Sequence, residues 1–114
     1  MFKSTHNRGF QMTFKNGLTI SVQFGTGNYC ERRQVIAPIQ GEMKMSIVES
    51  NSAEIAIWNT EQVWFDFGTD QVRGWVTADE VAHWIYLTRS AIHLDHLKNM
   101  AIDWKMVEAR TSEV

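Results

Sequence analysis

Cysteine is almost missing from this chain: Cys30 is the one thiol in 114 residues. An internal disulfide is therefore excluded, and a reducing compartment suits the sequence better than an oxidising one. Excess charge is scarce as well. With histidines neutral the net charge is −2, too little to create the basic field that draws in a nucleic-acid polymer, so any anion site has to be local. No apolar run approaches the roughly 18–20 residues that span a bilayer, and Met1–Arg8 lacks the apolar stretch of a secretory signal. The expectation is a soluble cytosolic protein that meets no membrane. Catalytic patterns are missing too. There is no Gly-Lys-Ser/Thr phosphate loop, no Ser-His-Asp order and no recognisable carboxylate dyad among Glu31, Asp66, Asp70, Asp79 and Glu80. The chain reads as a non-enzymatic protein with no catalytic residue, metal or cofactor.

What is present describes an ordinary globule. Apolar residues make up 44% and charged ones 21%, a balance that excludes wholesale disorder. The length fits one domain over residues 1–114. Five tryptophans and six phenylalanines exceed what a core of this size requires, and the surplus points to an interface.

Period-two alternation marks the strands. Phe10, Met12 and Phe14 alternate with Gln11 and Thr13, and Leu18, Ile20, Val22 and Phe24 with Thr19, Ser21 and Gln23. Asn16-Gly17 suggests a two-residue turn, but that register sets Phe14 against Thr19 and mixes the faces. The three-residue loop Lys15-Asn16-Gly17 pairs Phe14 with Leu18, Met12 with Ile20 and Phe10 with Val22, with Gly17 left-handed in a bulged turn. Met43, Met45 and Ile47 form a further strand, expected beside Ala53, Ile55 and Ile57, with Ile47 opposite Ala53 and Met45 opposite Ile55. Val63–Phe67 and Val72–Val76 are expected as a last hairpin, with Phe67 opposite Val72, Asp66 opposite Arg73 and Trp64 opposite Trp75. Thr77-Ala78-Asp79-Glu80 is a capping box that opens a helix. Its stripe of Val81, Trp84, Ile85 and Thr88 breaks phase near Arg89–Ala91 and resumes as Leu94, Leu97, Ala101 and Trp104.

Strands first and helices last imply an α+β fold: an antiparallel sheet of about five to six strands over residues 9–76, with one or two C-terminal helices over residues 78–109 packed on one face. The other face would carry Asp66, Arg73 and three tryptophans, Trp58, Trp64 and Trp75. So many indoles are too apolar for open water, and either a second copy, making a homo-oligomer, or residues 24–42 would cover them.

The densest chemistry lies in FGTGNYCERR, residues 24–33. One reading is a bend between strands, because Gly and Asn gather at turns. In the other, Gly25 and Gly27 expose backbone amides as a nest with Asn28 beside them, Arg32 and Arg33 offer forked donors, and Tyr29 stacks a ring. That set suits a phosphate or a nucleotide. Cys30 would need a base to act as a nucleophile, and sequence places none of His6, His83, His93 or His96 beside it, so an incidental thiol is the plainer reading. His93 and His96 could share a helical side, yet no further ligand motif accompanies them; they read as surface histidines beside Asp95.

The run GFQMTFKNGLTISVQFGTGNYCERR, with SAEIAIW and VRGWVTADEVAHWI further on, resembles a family of small, uncharacterised bacteriophage-encoded proteins. Its pattern is G-F-x-M-x-F, N-G, S-x-Q-F/W-G and N-Y-C-x-x-R, then A-E-I/V-A and G-W/Y-V/L-S/T-x-D/E-E, which covers Gly9–Ile85. The resemblance implies a viral protein acting in the host bacterial cytoplasm and brings no activity with it. By analogy, small phage proteins without catalytic machinery act by binding. The expected function is capture of an anionic, nucleotide-derived small molecule, sequestering a host defence signal, with Gly25, Gly27, Asn28, Tyr29, Arg32 and Arg33 as the site. The alternative is a protein–protein inhibitor or assembly factor that contacts a host protein through Trp58, Trp64 and Trp75.

Overall fold

The computed structural model describes residues 1–5, 8–25, 49–68 and 70–112, with side chains as far as Trp104. Five strands, β1 (Phe2–Ser4), β2 (Gly9–Thr13), β3 (Thr19–Gln23), β4 (Ser52–Trp58) and β5 (Arg73–Thr77), form one antiparallel sheet in the order of the chain. Helices α1 (Ala78–Ser90) and α2 (Leu94–Ser112) follow, and α1 packs on β3, β4 and β5. The result is the α+β layering that a run of strands followed by helices requires, since each amphipathic face must find the other.

The β2–β3 hairpin takes the register that sorts its faces. Phe10 lies opposite Val22 and Met12 opposite Ile20, and the Phe14 N–H donates to the Leu18 carbonyl at 3.0 Å. Gly17 sits at φ +87°, the left-handed conformation that a side chain resists. Strand β1 was not legible as a strand: it has three residues and an exposed Phe2. It is held by pairing, Phe2 opposite Met12, and by the Met1 amine donating to the Thr13 carbonyl at 2.9 Å. Both sides of β4 are occupied, Ile55 lying between Val22 and Arg73. No edge is left there for the expected Met45–Ile55 pairing, and residues 43–47 lie outside the described residues.

The last expected hairpin is not formed. Asn59 folds the chain back onto the end of β4 instead: its Oδ1 accepts the amides of Glu61 at 2.9 Å and Val63 at 3.0 Å, while Gln62 takes φ +63°. Trp64 then bridges Trp58 rather than Trp75, and the Phe65 N–H donates to the Ile57 carbonyl at 2.7 Å. Strand β5 meets β4 through a bulge. Ala53 faces Val76 but Ile55 faces Arg73, so Gly74 and Trp75 together oppose Glu54. The extra residue flips Arg73 to the helix side, with its guanidinium 6.0 Å from the centre of the Trp84 ring and 4.0 Å from the Glu80 carboxylate. Asp66, expected as its partner, accepts the Gly68 N–H at 2.7 Å and closes its own turn.

The core lies between the sheet and the helices, where Ile20, Val22, Ile55, Ile57 and Val76 meet Trp84, Leu87 and Leu97. Phe65, Phe67 and Trp104 stand edge-on to Trp84. Helix α1 begins on the expected box, the Glu80 N–H donating to Thr77 Oγ1 at 3.3 Å and the Thr77 N–H to Glu80 Oε1 at 3.4 Å. It ends at Ser90, where the apolar stripe loses phase. Asn16 ties that end to the β2–β3 loop. Its Nδ2 donates to the carbonyls of Thr88 at 2.8 Å and Ala91 at 2.7 Å, and its Oδ1 accepts the Leu18 N–H at 2.9 Å. One amide side chain therefore supplies the C-terminal cap of α1 and the turn of the hairpin together.

Candidate functional site

Between the sheet and α1, beside the end of β3, lies a cleft of about 310 Å³, within the volume that small-molecule sites occupy. Phe10, Val22, Phe24 and Val76 form its sheet wall, and Val81 and Ile85 its helix wall. Ser50, Asn51 and Ser52 line one end. Positions 78, 81, 82 and 85 share one side of α1 because helical neighbours recur at three and four residues. Two of them, Ala78 and Ala82, are alanines whose short side chains leave the space open. No charged side chain lines the cleft among the described residues. A flat apolar ring placed there exchanges water for carbon, at about 25 cal/mol per Å² removed from water; a phosphate would find no counter-charge on these walls.

Phe24 joins the cleft to the loop that the sequence singles out. Its ring is part of the wall, and its N–H donates to the Arg8 carbonyl at 2.7 Å, extending the β2–β3 pairing by one step. Gly25, the next residue, is buried at φ +109°, a conformation glycine reaches without strain. The chain that carries the arginines thus departs from the rim of the cleft. Of the expected anion site only Gly25 is placed; Gly27, Asn28, Tyr29, Arg32 and Arg33 lie outside the described residues, as does Cys30.

The tryptophans expected on the second sheet face separate into a pair and a single ring. Trp58 and Trp64 stack with centroids 5.0 Å apart and planes inclined by 26°. Trp64 is 38% exposed, with Val63 beside it at 50%. Trp75, 58% exposed, sits on the bulge opposite Glu54 at φ +57°. At roughly 3.3 Å per residue, the distance along β4 from Glu54 to Trp58 is about 13 Å.

The histidines do different work from one another. His83 of α1 stacks on Trp104 of α2, ring centres 4.1 Å apart, whereas His93 and His96 face the backbone at the start of α2. Among the described residues no group of three His, Cys, Asp or Glu side chains could hold a metal ion, and no helix is long and apolar enough to cross a membrane. The cleft itself went unseen in the sequence. Its one local signal is the Ala78/Ala82 pair, small residues four apart on a helix that otherwise presents bulk to the sheet. Set against known proteins, the chain matches no protein-family model, no curated protein and no solved structure.

Proposed function

We propose that this protein is a non-enzymatic binder of a small nucleotide-like molecule, the cleft taking the base and the Gly25–Arg33 loop supplying donors to the phosphate. The position of Phe24 carries this reading, since it places the apolar wall and the root of an Arg/Tyr/Gly-rich loop one residue apart. The chemistry divides accordingly. Apolar walls accept a ring face but not an anion; backbone amides and guanidinium forks do the reverse. A phage protein in a bacterial cytoplasm, the role implied by resemblance, would use such a site to sequester a defence signal. A second reading is favoured by the exposed Trp58–Trp64 stack with Val63: that face would contact a host protein or a second copy of the chain.

Thermal-shift measurements with cyclic di- and trinucleotides, ADP-ribose and inorganic phosphate test the first reading. A nucleotide should raise the melting temperature, and inorganic phosphate should do far less. Ala82→Trp, at an exposed position on the cleft wall, should abolish the response while leaving the unliganded protein folded. Arg32→Ala/Arg33→Ala should weaken binding about tenfold or more, the loss expected when charge-assisted hydrogen bonds are removed. A flat response to every nucleotide, or an Ala82→Trp protein that responds like its parent, would overturn the reading.

A further inference from the structure

We infer that Asn16 is a modification site that the fold keeps silent: its side-chain amide is lost spontaneously, through a cyclic imide with Gly17, only when the end of α1 lets go of it. Asn16-Gly17 is the one Asn-Gly pair in the chain. Such a pair suits the reaction, because glycine carries no Cβ to crowd its own nitrogen and its backbone turns freely. Both residues sit half-buried in the loop between β2 and β3.

The reaction needs water and no other reagent. The Gly17 nitrogen gives up its proton to water and bonds to Asn16 Cγ. The Cγ–Nδ2 bond breaks, and Nδ2 leaves as ammonia with a proton taken from water. A further water then opens the imide at either of its carbonyls. One route leaves aspartate at position 16. The other leaves isoaspartate, in which the main chain runs through Cβ and Cγ.

Each reacting group is otherwise engaged in the folded protein. The Gly17 N–H donates to the Phe14 carbonyl at 3.0 Å, so the nucleophile keeps its proton and points into its own turn. Asn16 Nδ2, the leaving nitrogen, donates to the carbonyls of Thr88 at 2.8 Å, Arg89 at 3.3 Å and Ala91 at 2.7 Å. Its Oδ1 accepts the Leu18 N–H at 2.9 Å. The amide plane is thereby fixed at both ends, and carbonyls cannot supply the proton that ammonia carries away. Cyclisation has to break these bonds first, so it proceeds through chains in which the β2–β3 loop and α1 have separated. The product does not close again on the same terms. Aspartate has lost the donors and sets negative charge against the carbonyl end of α1. Isoaspartate lengthens a loop whose span sets the strand register. The site therefore records an opening of the loop as a permanent change.

The test incubates the full chain at one pH and temperature, in plain buffer and in urea above the unfolding midpoint. Mass spectrometry of the peptide holding Asn16 follows the change from amide to acid. The folded chain should react about a hundredfold more slowly, the population lost when an opening must break three hydrogen bonds. In urea, Gly17→Ala should remove most of the reaction, because a Cβ crowds the attacking nitrogen. Leu87→Ala, at a buried position one turn before Ala91, should speed the reaction in plain buffer about tenfold or more and leave the rate in urea unchanged. If that variant does not fold, it should react in plain buffer at the urea rate. Equal rates at Asn16 in the folded and unfolded parent would overturn the inference, a readout that needs no variant. So would a folded Leu87→Ala protein that reacts no faster than its parent, or a reacted chain that refolds to the parent's urea midpoint.

Discussion

Asn16 joins two parts of the chain 72 residues apart, from the β2–β3 loop to the carbonyl end of α1, and its replacement by alanine makes that union measurable. Three short hydrogen bonds disappear: those to the Thr88 and Ala91 carbonyls at 2.8 and 2.7 Å, and that from the Leu18 N–H at 2.9 Å. At roughly 0.5–1.5 kcal/mol net for each, in a partly buried setting, the expected loss is about 3 kcal/mol. For a domain near this size that corresponds to a fall in Tm of about 12 °C or more. Urea and thermal unfolding followed by circular dichroism read both quantities. Asn16→Asp sharpens the test. It keeps the acceptor for Leu18 but turns a carboxylate toward carbonyls at the negative end of α1, so at neutral pH it should be at least as damaging as alanine. Because the fold disfavours that charge, the deficit relative to the parent should shrink as pH falls through the carboxylate range, where the protonated acid donates again. A loss below about 1 kcal/mol for Asn16→Ala would refute the reasoning, since that is less than three such bonds contribute. So would an Asp variant whose deficit grows in acid.

Other positions give independent checks. Gly9→Ala places a Cβ against the Val22 carbonyl at φ +149°, so the variant should fail to form the β2–β3 ladder, seen as lost amide protection in both strands. Trp75→Gly should stabilise the fold by about 0.5–1 kcal/mol, because an exposed side chain at φ +57° holds strain that glycine does not; urea midpoints decide it, and a destabilised variant would contradict it. Trp64→Ala, which unstacks Trp58, should cost about 1 kcal/mol and change tryptophan fluorescence in the folded state. A protein unaltered in both would show that the stack is incidental.

Much of this fold was legible because local chemistry and face-sorting agreed. The β2–β3 register followed from one constraint: the two-residue turn sets Phe14 against Thr19 and mixes the faces, while the three-residue loop sorts them. Thr77 and Glu80 signalled the start of α1, and the broken stripe at Arg89–Ala91 its end. Three features were not legible. Strand β1 is too short for alternation to be measured. The 63–76 hairpin looked convincing because Trp64 and Trp75 matched across it, but Asn59 makes a turn that brings Trp64 to Trp58 first, and local closure prevails over a more distant pairing. The bulge at Gly74-Trp75 then moves Arg73 to the opposite face, which a strict period of two cannot anticipate. The cleft depends on how α1 sits over β3 and β4, and only Ala78 and Ala82 hint at it. Of residues 25–33 the fold places the first, next in the chain to Phe24 of the cleft wall.

Native mass spectrometry of the chain mixed with the cyclic nucleotides and ADP-ribose tests the central claim most directly. The account predicts saturable retention of one of these molecules by the parent, with its mass lost in Ala82→Trp and reduced in Arg32→Ala/Arg33→Ala. A parent that retains none of them, or an Ala82→Trp protein that retains the same molecule equally well, would contradict it.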